Sequence, residues 1–175
     1  MINFRPVRIL VSLAAVSLGC LSELAADQVL LAPEDFIRQS FAEEPESKVI
    51  WLDRELKEAA NEILGHGYKG LRIRYWQSGD RTAWVLDEIG KVKPITAGFV
   101  VDDGVLQEMR VLVYRESHGW EVRYPFFTRQ FKGRTLDEKK QLDEEIDGIS
   151  GATLSVNALV RLSRLALYLH QKALP

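Results

Sequence analysis

Ile95-Thr96-Ala97-Gly98-Phe99-Val100-Val101-Asp102-Asp103-Gly104-Val105-Leu106-Gln107-Glu108-Met109-Arg110-Val111-Leu112-Val113-Tyr114 is the stretch that decides the fold. Two β-rich runs, Ile95–Val101 and Val105–Tyr114, flank Asp102-Asp103-Gly104. An Asp-Gly pair accepts the positive φ values of a tight hairpin, so these runs predict two antiparallel strands. Upstream, Gly70–Trp76 alternates apolar and polar residues, Ser78-Gly79-Asp80 signals a turn, and Thr82–Ile89 reads as the next strand. Four strands joined by short turns predict a largely antiparallel sheet and argue against a parallel, doubly wound one.

Helices flank these strands. Pro33 near a first helical position, with Glu34 and Asp35 in the first turn, opens a short helix whose apolar residues are Phe36, Ile37 and Phe41. Lys48–Leu52 reads as a further strand. Asp53 is placed to cap a helix over Arg54–Leu64, and Gly65 sits at its C-terminal stop. Tyr124–Gly133 reads as a short aromatic helix. Its Phe126, Phe127 and Phe131 suit the core or one wall of a pocket, and its Arg129 and Lys132 suit a phosphate or open solvent. A terminal helix over Leu154–Ala173 carries an apolar stripe of Leu154, Ala158, Leu162, Leu165 and Leu169, with Arg161, Arg164 and His170 on its other side and end. The fold class is α+β: a mostly antiparallel sheet flanked by helices, in one domain.

The chain has 175 residues, 46% apolar and 27% charged, with a net charge of -2 that argues against nucleic acid as the main partner. One cysteine, Cys20, rules out an internal disulfide framework and a cysteine-based zinc site, and the three histidines lack His-x-x-x-His spacing, so no metal site is expected. Arg5 and Arg8 precede the apolar run Ile9–Leu21, and Ala25-Ala26 offers small residues for cleavage. This pattern predicts a signal peptide over 1–26 and a domain over 27–175, periplasmic or on the outer face of the cytoplasmic membrane; a lipid anchor at Cys20 is the alternative.

Asp147-Gly148-Ile149-Ser150-Gly151-Ala152-Thr153 leads into the terminal helix. Ser150, Thr153 and Ser155 are candidate caps, and the free N–H groups of a helix start suit a phosphate. The string Asp-x-x-Ser-Gly-Ala-Thr resembles the flavinylation motif of the FMN-binding domain family, which includes the covalent-flavin subunits of sodium-pumping NADH:quinone reductases and Rnf-type complexes. Asp147, Ser150, Gly151, Ala152 and Thr153 match every fixed position. The resemblance implies that Thr153 takes FMN through a phosphoester made by a separate flavin transferase. Asp147 would assist that enzyme, and Ser150, Gly151 and Ala152 would shape the turn.

Arg115-Glu116-Ser117-His118-Gly119 is similar to the Glu-Thr-Pro-Gly loop of those subunits, with Ser117 and His118 replacing Thr and Pro. The resemblance places Glu116 and His118 near the flavin, to hydrogen-bond it or tune its protonation; as a bare residue, His118 reads first as part of an exposed loop. Gly67-Tyr68-Lys69-Gly70 is similar to a glycine element of the same family and reads as structural.

The function implied is an exported carrier of covalent FMN passing electrons between membrane or periplasmic redox proteins. A non-redox envelope sensor or scaffold, binding flavin loosely or not at all, is the alternative. Gly148-x-Ser150-x-Ala152 also mimics a hydrolase nucleophile elbow, for which His170 is the one histidine further along the chain.

Overall fold

The computed structural model describes residues 27–174; the signal peptide expected over 1–26 lies outside them. In chain order the elements are β1 (Gln28–Val29), α1 (Pro33–Ser40), β2 (Glu46–Trp51), α2 (Arg54–Leu64), β3 (Arg72–Ser78), β4 (Arg81–Ile89), β5 (Pro94–Asp102) and β6 (Val105–Tyr114). A 3-10 turn (Trp120–Arg123), α3 (Pro125–Thr128), a second 3-10 turn (Arg129–Phe131) and α4 (Thr153–Ala173) follow. The strands form one sheet in the order β1-β6-β5-β4-β3-β2, antiparallel throughout, so the molecule is α+β.

Local chemistry sets several boundaries. The Asp53 carboxylate accepts the Leu56 N–H at 2.9 Å and starts α2; Gly65, at φ 76°, ends it by donating to Asn61 O. Asp103 and Gly104, at φ 50° and 72°, make the tight β5–β6 turn. The expected aromatic helix over Tyr124–Gly133 is present as two consecutive single turns, α3 and the second 3-10 turn, set off from the first 3-10 turn at Tyr124. Pro125 has no N–H to continue the preceding turn, and Tyr124 before it is held extended at ψ 152°.

Strand alternation divides the interior between the two sheet faces. On one face, Trp84, Leu86, Ala97, Phe99 and Val101 meet α2 and α4 in the main core. On the other, Ala83, Val100 and Leu112 meet Phe36 and Ile37 of α1 in a smaller one. Gly98 permits that approach: a Cβ there would stand 2.4 Å from the Phe36 ring.

α4 is the long element that carries the site. Leu159, Leu162, Leu165, Leu167 and Leu169 are at most 1% exposed, each contributing roughly 1.5–3 kcal/mol of burial. Leu154 departs from the expected stripe and is exposed: in the first turn of α4 it is Ser155 and Val156 that turn inward. The arginines differ too. Arg161 reaches the buried Glu88 at 3.3 Å and Arg164 donates to Lys140 O at 2.5 Å, so this side of α4 is tied down rather than bare.

His170 is not on the outer side of α4 either. It is 4% exposed, with Nε2 accepting the Gly104 N–H at 3.0 Å and Nδ1 2.8 Å from Thr82 Oγ1. Nε2 is therefore the unprotonated nitrogen, and Nδ1–H donates to Thr82. Among the described residues no helix is long and apolar enough to cross a membrane.

Candidate functional site

Three segments distant in sequence converge beside the start of α4. Lys91-Val92-Lys93 from the β4–β5 loop, Glu116-Ser117-His118 after β6, and Gly151–Ser155 line one cleft of about 510 Å³, within the usual range for a small-molecule site. Each segment is held by a different device.

The 116–118 loop is clamped to α4 through Gly119. At φ 81°, Gly119 occupies backbone space that disfavours a side chain, and a Cβ there would stand 3.1 Å from both Ala152 Cβ and Tyr114 Oη. The Tyr114 hydroxyl donates to His118 O at 2.5 Å, so Ser155 Oγ, at 3.2 Å, is the donor to the Tyr114 oxygen. Burial, chiefly, raises the Tyr114 pKa and keeps the phenol protonated for this bond.

Glu116 holds the lysine loop. One of its carboxylate oxygens accepts the backbone N–H groups of Lys91, Val92 and Lys93 at 2.5, 2.6 and 2.9 Å. Burial alone would raise its pKa; the three donors and the Lys91 charge outweigh burial and hold it below the usual carboxylate value. Glu116 is thus a loop anchor as well as a cleft residue, and its charge is committed to the backbone. His118 lines the cleft with an exposed side chain.

At the start of α4 the expected capping is absent. The N-cap position is Ala152, with no side-chain cap bond, and Thr153 is the first helical residue. Ser150 and Ser155 do not cap either: Ser150 is exposed, and Ser155 is turned to Tyr114. Val156 N bonds Ala152 O, which leaves the N–H groups of Thr153, Leu154 and Ser155 outside the helical ladder. The Thr153 hydroxyl makes no hydrogen bond among the described residues, and its side chain is exposed in the cleft. Asp147 is exposed just upstream; its N–H is fixed by Gln130 Oε1 at 2.7 Å while its carboxylate is unpaired among the described residues. Gly151, at φ 83°, turns the chain into the helix, and the small Ala152, 3% exposed, tucks under Gly119.

Thr153, Gly151, Ala152, Glu116 and His118 therefore share one cleft, while Asp147 and Ser150 precede it on the approach to the helix. Lys91, Val92, Lys93 and Leu154 are cleft residues that the sequence did not single out. The signal available was a two-lysine loop bracketed by Gly90 and Pro94.

Other sequence candidates lie elsewhere. Phe127 and Phe131 are fully buried in the main core, and Phe126 faces solvent, so none walls this cleft. Arg129 and Lys132 line a different hollow. Gly67, Tyr68 and Lys69 border a third one with Glu88, and Tyr68 N is pinned to Asn61 Oδ1 at 2.6 Å. The hydrolase arrangement is excluded. His170 is 17 residues along α4 from Thr153, roughly 25 Å of helix, its ring nitrogens are engaged, and the segment 143–150 leading into Ser150 is not a strand.

The chemistry of this cleft suits a phosphorylated group: two lysines, three helix-start N–H groups and one free hydroxyl beside small residues. No curated protein matches the chain. Residues 90–168, which span every segment of the cleft, match the family model of the FMN-binding domain.

Proposed function

We propose that this protein is an exported electron carrier with FMN bound covalently through Thr153. The observation that carries the reading is the Thr153 hydroxyl: exposed, free of hydrogen bonds among the described residues, and opening into the cleft shared with Lys91, Lys93, Glu116 and His118. A hydroxyl serving only as a helix cap would be turned onto the backbone, and this one is not. Bound there, FMN supplies one- or two-electron transfer.

The residues around the hydroxyl fit the group. Lys91 and Lys93 offer positive charge to a phosphate, as do the first N–H groups of α4. Ala152 and Gly151 leave the approach to Thr153 unobstructed, whereas a bulky neighbour would crowd a phosphoribityl chain. His118 and Glu116 stand at the wall where a ring system would lie. The attachment itself is work for a separate flavin transferase: the Thr153 oxygen takes the FMN phosphate from FAD, the diphosphate bond breaks, AMP leaves, and the hydroxyl proton is lost. The unpaired Asp147 carboxylate is placed to be read by that enzyme. Electron partners are membrane or periplasmic redox proteins, in keeping with the signal peptide expected from the sequence.

The test is the intact mass of the protein co-produced with a flavin transferase, beside a Thr153→Ala control. A gain of one FMN less one water, absent from the control, is the expected result. An unmodified mass with an active transferase present would favour the sensor or scaffold reading.

A further inference from the structure

Outside the cleft, the segment after Gly119 exposes three aromatic rings in a row. Trp120, Tyr124 and Phe126 are 41%, 38% and 61% exposed. Trp120 and Tyr124 meet edge to face at 5.4 Å, and Tyr124 and Phe126 lie 6.3 Å apart. The Arg123 guanidinium stands over both of the first two rings, at 5.0 and 5.3 Å. Single exposed apolar residues need no explanation, but a contiguous aromatic strip marks an interaction surface.

Arg123 also joins the strip to a basic hollow of about 530 Å³ that includes Pro125, Arg110, Arg129 and Lys132. Glu108 is the one carboxylate lining this hollow, and it is paired with Arg110. Arg123, Arg129 and Lys132 make no ion pair among the described residues, although the whole chain carries a net charge of -2. Beside the exposed rings three cations thus stand against one unpaired carboxylate among the described residues, Glu121 of the same 3-10 turn.

We propose that this strip and hollow form a docking surface for an anionic lipid bilayer. Trp and Tyr are the residue types that settle at the headgroup level, where the ring is apolar and the polar tip stays wet, and Phe126 supplies an apolar side chain to enter below them. Lysine and arginine near an anionic leaflet add attraction that does not depend on exact registration. A folded acidic partner also meets a positive patch, but in one register fixed by specific paired contacts. Here the carboxylate of the hollow is spent on Arg110, and what faces outward is diffuse net positive charge with rings that need no fixed partner. This suits a fluid surface. The inference does not depend on flavin attachment, although Trp120 lies only two residues beyond the cleft residue His118.

The experiment uses the full chain and its tryptophan fluorescence with vesicles of brominated phosphatidylcholine, with or without phosphatidylglycerol. Quenching is expected with phosphatidylglycerol present and to be much weaker without it. Trp120→Phe, which keeps an aromatic ring in place, should remove most of that quenching even though Trp51, Trp76 and Trp84 remain. Arg129→Glu with Lys132→Glu, both exposed positions, should weaken vesicle affinity by roughly tenfold or more with an unchanged circular dichroism spectrum. Quenching that survives Trp120→Phe places the contact elsewhere and overturns the proposal, as does affinity indifferent to the charge reversal. Absence of quenching with anionic vesicles also overturns it and turns attention to an acidic protein.

Discussion

The two ends of α4 treat their polar groups in opposite ways. At the C-terminal end, His170 is buried, both ring nitrogens are bonded, and Thr82 Oγ1 also accepts the Trp84 indole N–H at 2.8 Å. At the N-terminal end, the Thr153 hydroxyl opens into the cleft, and the first three helix N–H groups have no side-chain cap. The same helix thus holds one end by a satisfied buried network and leaves hydrogen-bonding capacity free at the other. Buried polar groups need partners for stability, whereas free capacity on a rigid element is what a ligand can use. The difference separates positions that matter for folding from positions that matter for loading.

The largest expected effect lies at the open end. Thr153→Val should abolish covalent flavin loading completely, and Thr153→Ser should retain it. Neither substitution should shift the thermal midpoint of the unloaded protein by more than a few degrees, since the hydroxyl makes no bond among the described residues. Flavin fluorescence of the denatured protein in a gel and a thermal scan check the two halves. A large loss of stability in Thr153→Val would erase the contrast between the ends.

At the closed end the pattern reverses. His170→Ala should cost about 3 kcal/mol, because it leaves the Gly104 N–H without its acceptor and opens a cavity against Thr82. Flavin loading at Thr153 should survive at temperatures where the variant stays folded. Urea unfolding and intact mass together test this; lost loading in a folded His170→Ala protein would mean that the two ends are coupled.

Legibility in the sequence followed the range of the interactions. The limits of α2 and the β5–β6 hairpin were readable because Asp53, Gly65, Asp103 and Gly104 act on their own backbones. The motif at 147–153 was readable because its residues are contiguous, and the family match covers it. By contrast, β1 is two residues long and pairs only with β6. His170 finds Thr82 88 positions upstream, so its burial has no local signature. Glu116 was read as a cleft residue, but its role as a clamp was hidden, since its donors are backbone N–H groups 23 to 25 residues away. The short aromatic helix was readable for the same local reason as α2, since Pro125 opens it and Gly133, at φ 86°, follows its end, whereas the 3-10 turn over Trp120–Arg123 carries no such signal.

A smaller effect is expected at the cleft wall. Glu116→Gln keeps an oxygen acceptor but replaces charge-assisted bonds with neutral ones, a loss of about 1 kcal/mol. The change should be local: faster amide exchange at Lys91, Val92 and Lys93, with little change in exchange across the core strands. Unchanged exchange at those three amides would show that the loop holds itself.

The smallest effect is a pH dependence between pH 7.5 and pH 5.5 that belongs to the closed end. Burial lowers the folded pKa of His170 from its ordinary 6.5, and nearby Asp102, Asp103 and Asp80 offset this only in part. The unfolded chain therefore binds a proton at a higher pH than the folded one does. The His170 contribution to stability is fully present above about pH 6.5 and is lost as pH falls from there through the lowered folded value. Protonation would place a proton on Nε2, where Gly104 N–H already donates, so both groups would become donors and the bond would fail. Urea midpoints at pH 7.5 and pH 5.5 should fall for the wild type and fall less for His170→Ala, with carboxylate titration common to both. Equal slopes in the two proteins would move the acid sensitivity away from the C-terminal end of α4 and remove the electrostatic half of the contrast.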